Sequence, residues 1–192
     1  MKQVFHRFAV GLLGLAVVAG LTGTANAGIK DGSWELGVFG PYVVFDDLAP
    51  GAELDNAFGY GVRAGWNIMK GHEIEFNGYL VPSEADITVP GFGTFNIDVD
   101  IRTLTLGYLY NWTDNDKITP FVTGGVGSTN FDPEAGSDED DTTFYAGGGV
   151  RFHFGGNFNV RVDGQWVRVD SDPDALNNWM VAVGVGWHVG GK

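Results

Sequence analysis

Asp170, Asp172 and Asp174 are each separated by one residue. At that spacing the carboxylates of a loop can converge on a calcium ion. The match stops there, because Ala175 stands where a calcium loop turns on glycine and Val181 where it carries a bidentate glutamate. A further six acids fall within 132–141. Clustered like charges repel, and a divalent cation relieves the repulsion. Asp138, Asp140, Asp170 and Asp172 are therefore the expected ligands of a loosely organised calcium or magnesium site, with Kd of ~10⁻⁴–10⁻³ M. The alternative is a solvated acidic face screened by diffuse counter-ions. No other cofactor is expected.

Residues for covalent catalysis are sparse. Beyond residue 27 the histidines are His72, His153 and His188, and no serine lies within two residues of any of them. Gly59-x-Gly61-x-x-Ala64 resembles a dinucleotide fingerprint, but no helix follows it. Gly147-Gly148-Gly149 likewise precedes no helix and reads as lumen space or a kink. No enzyme is expected from these residues.

A second charged set is more telling: Glu35, Arg63, Glu73, Glu75, Arg151, Arg161 and Asp163. Each lies in a segment of alternating apolar and polar residues, in phase with the polar positions. In a strand, alternate side chains share a face. Phe58, Tyr60, Val62, Ala64, Trp66 and Ile68 thus oppose Gly59, Gly61, Arg63, Gly65 and Asn67. The segments 143–154, 158–170 and 179–189 repeat the pattern, with large groups on one face and small or charged groups on the other. A closed sheet with its large apolar groups outside is inverted relative to a soluble barrel. The seven charges then share a lumen and must pair, because an unpaired buried charge costs several kcal/mol. The arrangement is either an ion path or a packed polar plug, and an eight-stranded barrel is just wide enough for side chains to fill. The plug is the expected state.

The tryptophans agree with that geometry. Trp34, Trp66, Trp112, Trp166, Trp179 and Trp187 each lie at one end of an alternating segment, in phase with the apolar set. Amphipathic rings take such positions at a membrane–water boundary.

Eight strands are expected, at about 32–45, 57–68, 72–81, 97–112, 119–131, 143–154, 158–170 and 179–189. The connections alternate long and short, and four long loops fall at 46–56, 82–96, 132–142 and 171–178. Transmembrane barrels have short periplasmic turns and longer outer loops, so both termini are expected on the periplasmic side. Strand four changes phase near Arg102, which calls for a bulge or for a strand arm above the membrane. The glycine-rich segment 119–131 cannot be assigned faces by alternation.

Composition narrows the remaining classes. Thirty-one glycines argue against a helical protein. Cysteine is absent, so stability must come from packing or a closed ladder. A net charge of −13 makes nucleic acid an unsuitable partner. The acids concentrate in the long connections, and such a field repels anions. At the N-terminus, Lys2 and Arg7 precede the 14-residue apolar run 8–21 and the Ala25-Asn26-Ala27 pattern. That is the form of a cleaved export signal, 1–27, leaving a single barrel domain, 28–192. The run is too short to cross a bilayer as a helix.

These features resemble the small eight-stranded outer membrane β-barrel family, the group of the outer membrane protein A transmembrane domain and the OmpX-like proteins. The resemblance spans residues 28–192. It rests on Thr119-Pro120-Phe121-Val122-Thr123-Gly124-Gly125-Val126-Gly127, on GGGVRFHF followed by NVRVDGQWVRV, and on a last strand with Gly184, Trp187 and Val189 at the spacing of the family's assembly signal. Ala182 departs from that signal, as does the extension Gly190-Gly191-Lys192. The resemblance implies an all-β, eight-stranded antiparallel up-and-down transmembrane barrel in the bacterial outer membrane. It would be surrounded by bilayer lipid and lipopolysaccharide, inserted by the outer membrane assembly machinery, and monomeric. Its role would be structural or surface-interacting. A narrow ion channel and a lipid A-modifying enzyme are the alternatives, and the adjacent His-x-Ser motif of the barrel deacylases is missing.

Overall fold

A computed structural model describes residues 29–46, 52–89, 91–115, 117–133, 139–154, 156–171 and 175–191. The segment read as an export signal lies outside these residues, as do Asp138, Asp172 and Asp174. The alternating segments fold as antiparallel ladder. In chain order the strands are β1 (Ser33–Val44), β2 (Ala52–Leu54), β3 (Ala57–Phe58), β4 (Tyr60–Met69), β5 (His72–Val89), β6 (Gly93–Asn111), β7 (Ile118–Pro133), β8 (Glu139–His153), β9 (Phe158–Asp170) and β10 (Leu176–Gly190). The long strands pair in sequence order, and β10 pairs back onto β1. Eight strands thus close a ring. β3 continues β4 against β1, and β2 pairs with β5 inside the first long connection.

The register fixes the barrel's shape. Starting at Trp34, the paired residues are Trp66, Ile74, Tyr108, Gly124, Ala146, Trp166 and Trp179, and the path returns to β1 at Val44, ten residues from its start. A ten-residue stagger over eight strands spaced ~4.8 Å apart implies a tilt of about 40° and a backbone diameter of about 16 Å.

Alternation sets every side chain in or out. Glycine at two positions shows how tight the closure is. A Cβ at Gly107 would collide with the Tyr145 hydroxyl and lie 2.9 Å from the Gly124 carbonyl oxygen. Gly71, in the β4–β5 turn, has φ +86°, a conformation that other residues rarely adopt.

β5 and β6 run much further than their apolar alternation suggested. Residues 82–96, read from sequence as a loop with extended arms, are mostly paired strand. The pairing from His72↔Tyr110 to Val89↔Gly93 is unbroken, with no bulge at Arg102. What changes there is the surroundings. Below Arg102 the outward residues are Leu104, Leu106 and Tyr108, whereas above it they are Asp100, Asp98 and Asn96. The inward residues switch the opposite way, to Ile101 and Val99, both buried. The hairpin therefore crosses from an apolar exterior into a wet one. The strand-arm explanation of the phase change holds, and the bulge does not.

Candidate functional site

All seven charges singled out in the sequence point into the lumen and are buried. They lie toward the end of the barrel that carries the short turns. Arg151 donates to Glu73 at 2.8 Å and lies 3.4 Å from Glu35. Arg161 bonds to both Glu75 and Asp163, the latter at 2.9 Å. Arg63 stands 3.6 Å from Asp163 and 4.0 Å from Glu75. Three guanidiniums thus face four carboxylates. His188 is beside the fourth, its Nε2 3.1 Å from Glu35 Oε2, although the pair is not aligned for a hydrogen bond. Asn111 accepts from Arg151 at 3.2 Å, and Gln165 donates to Asp163 at 2.8 Å. The strands place these groups by register: Arg151 is paired with Arg161, and Asn67 with Glu73. The two arginines so paired need the acids from across the lumen between them.

Aromatic rings cap the cluster. Phe121 lies under the Arg161 guanidinium at 4.2 Å and near that of Arg151 at 5.6 Å, and Phe39 lies under Arg63 at 4.5 Å. Such cation–π contacts favour a desolvated cation. No facing for Phe121 could be read from alternation, because Gly124, Gly125 and Gly127 erase the pattern in its strand.

The lumen toward the long connections has the opposite character. Phe39, Val43, Val81, Ile101, Tyr145, Val167, Val169, Leu176 and Met180 form one buried apolar cluster. A space of about 20 Å³, room for about one water, remains between Val43, Val81, Ile101, Val167 and Met180 and the polar Thr103, Thr129 and Asn178. This second layer was missed from sequence. Its signal was the phase change at Arg102, which places Val99 and Ile101 on the inward face. Along the lumen an ionic layer is thus followed by a mainly apolar one.

The six tryptophans all point outward and form two rows. Trp34 and Trp66 stack at 5.9 Å near the short turns, in the row that also holds Trp112 and Trp187. Trp166 and Trp179 are paired with each other near the long connections. Trp179 and Trp187 are eight residues apart on β10, about 26 Å along a strand and about 20 Å along the tilted barrel axis. That is close to the ~25 Å apolar band of a transmembrane barrel.

Of the four expected cation ligands, Asp140 and Asp170 are described. Both point outward, on the paired strands β8 and β9. Asp140 accepts from Asn130 at 3.2 Å, and Asp170 is bridged by Arg168 at 2.7 Å. Ser171 donates to Asp141 at 2.6 Å, tying the last two long connections together. Among the described residues no group of three or more possible ligands is assembled.

A sequence model of the outer membrane protein beta-barrel domain matches residues 13–188. Among solved structures, the outer membrane protein OprG of Pseudomonas aeruginosa is similar at 14% identity and TM-score 0.65, covering 84% of this chain and 98% of that one. Neisserial surface protein A is similar at 10% identity and TM-score 0.65, covering 82% and 99%. The attachment invasion locus protein Ail of Yersinia pestis, in complex with the heparin analogue sucrose octasulfate, is similar at 13% identity and TM-score 0.53, covering 83% and 99%. These likenesses concern the fold. Among curated protein sequences no significant match is found.

Proposed function

The chain belongs to the outer membrane protein β-barrel family, and on that footing we propose that it is a closed barrel with a structural or surface-interaction role, neither a pore nor an enzyme. The family places it in the bilayer of the bacterial outer membrane. The observation that carries the reading is the doubly blocked lumen, in which the Arg161–Glu75–Asp163 network lies beneath an apolar layer with about 20 Å³ of free space. Solutes the size of a sugar need a continuous aqueous path, and a lumen about 16 Å across between backbones is consumed by its own side chains.

The long connections face outward in this reading, as in other transmembrane barrels. Seventeen of the 24 acids lie in or beside them, against Arg102 and Arg168. The relative Ail takes a sulfated, polyanionic ligand in its complex. An acidic crown disfavours that class here and suits a cationic partner. The test is sugar entry into liposomes containing the protein, with surface binding compared before and after trimming of residues 132–142. Entry no faster than in protein-free liposomes, and binding lost on trimming, are the expected results. Rapid sugar entry would overturn the closed-barrel reading.

A further inference from the structure

The lipid-facing wall is not even. Across β1, β4, β5 and β6, just inside the loop-end tryptophan row, it carries a concavity of about 680 Å³. Two outward positions there have no side chain: Gly40 on β1 and Gly78 on β5, on either side of Tyr60 and Val62. The floor is the backbone of Gly59 and Gly61, with the rings of Phe39 and Tyr79 behind it. A Cβ on Gly61 would stand 2.6 Å from the Phe39 ring and 2.7 Å from Tyr79 Cβ, so the floor is already closed from within. Val38, Val62 and Leu104 form an apolar rim exposed on the outer surface.

We infer that this groove binds one acyl chain of a bilayer lipid. It opens on the lipid-facing surface and is continuous with it, so bilayer lipids are the molecules that reach it. An unfilled groove would leave its lining without dispersion partners on one side. A methylene is about as large as a water, so a groove of about 680 Å³ is on the scale of an acyl chain and not of a small solute. The chain stops at the wall, because Phe39 and Tyr79 meet edge-on at 6.0 Å behind it. The site reads the chain and not an anionic headgroup. The one cation at its rim, Arg102, is already held by Asp132 at 3.0 Å and faces Asp100 at 4.0 Å.

The barrel, reconstituted in phosphatidylcholine vesicles in which a fraction of the lipid carries a mid-chain diazirine, tests this. After illumination, adducts are mapped by mass spectrometry. Tyr60, Val62 and Leu104 are expected to be labelled several-fold more than Val126 and Phe144, which are outward residues on the far wall at similar depth. Gly78→Phe fills the groove from the lipid side, since a Cβ there meets only the flexible Leu104 Cδ2, at 3.1 Å. It should reduce groove labelling to the far-wall level while the strand circular-dichroism signal persists. Val62→Trp is the second variant and should act the same way if Gly78→Phe does not assemble. Even labelling around the wild-type barrel, or undiminished groove labelling in a folded variant, overturns the inference.

Discussion

Arg161 holds the charged layer together. It contacts two carboxylates and a ring, and it is almost wholly buried. Arg161→Ala leaves Glu75 and Asp163 short of a cation in a dry space and should cost about 3–5 kcal/mol. Arg168 makes an equally short bridge to Asp170, but both side chains are more than two-fifths exposed. Arg168→Ala should therefore cost no more than about 1 kcal/mol. Urea unfolding of the two variants in detergent micelles gives the comparison, and equal losses would mean that burial does not set the value of these bridges. The seven inward charges were legible because each sits in phase within an alternating strand. Phe121 was not, because Gly124, Gly125 and Gly127 further along its strand carry no side chain to mark a face.

The β5–β6 hairpin shows the limit of alternation at the scale of the element. The pattern reports which face is apolar, and the ladder continues unchanged when the exterior changes from lipid to water. Ile97, Val99 and Ile101 therefore looked out of phase although their strand is regular. For the same reason one face of β6 should respond in two ways. Leu106→Arg lies within the apolar band and should cost about 2–4 kcal/mol. Asp98→Arg lies above it, where an exposed interaction is worth little, and should cost no more than about 1 kcal/mol, again read from urea midpoints. The absence of cysteine makes the orientation equally testable. Asp98→Cys should react with a membrane-impermeant maleimide on intact cells, whereas Lys70→Cys, in the β4–β5 turn, should react only after the outer membrane is opened. The reverse pattern would invert the barrel.

For the molecule as a whole, the ring, its eight strands and its inside-out patterning followed from tryptophan placement and period-two alternation. The division of the lumen into an ionic layer and an apolar layer did not, because it depends on register between strands distant in sequence. Glu35 meets Arg151 only once the ring is closed. Phe39, Val81, Val167 and Met180 likewise come together from four strands. Two dissimilar layers in series are what the proposed closed state rests on, since a solute able to solvate one is rejected by the other. Single-channel recording of the purified barrel in planar bilayers, in molar potassium chloride, tests this most directly. Quiet traces, no different from protein-free bilayers under sustained voltage, are the predicted result. Reproducible unitary conductance steps that scale with the amount of folded protein would contradict a lumen closed at two levels.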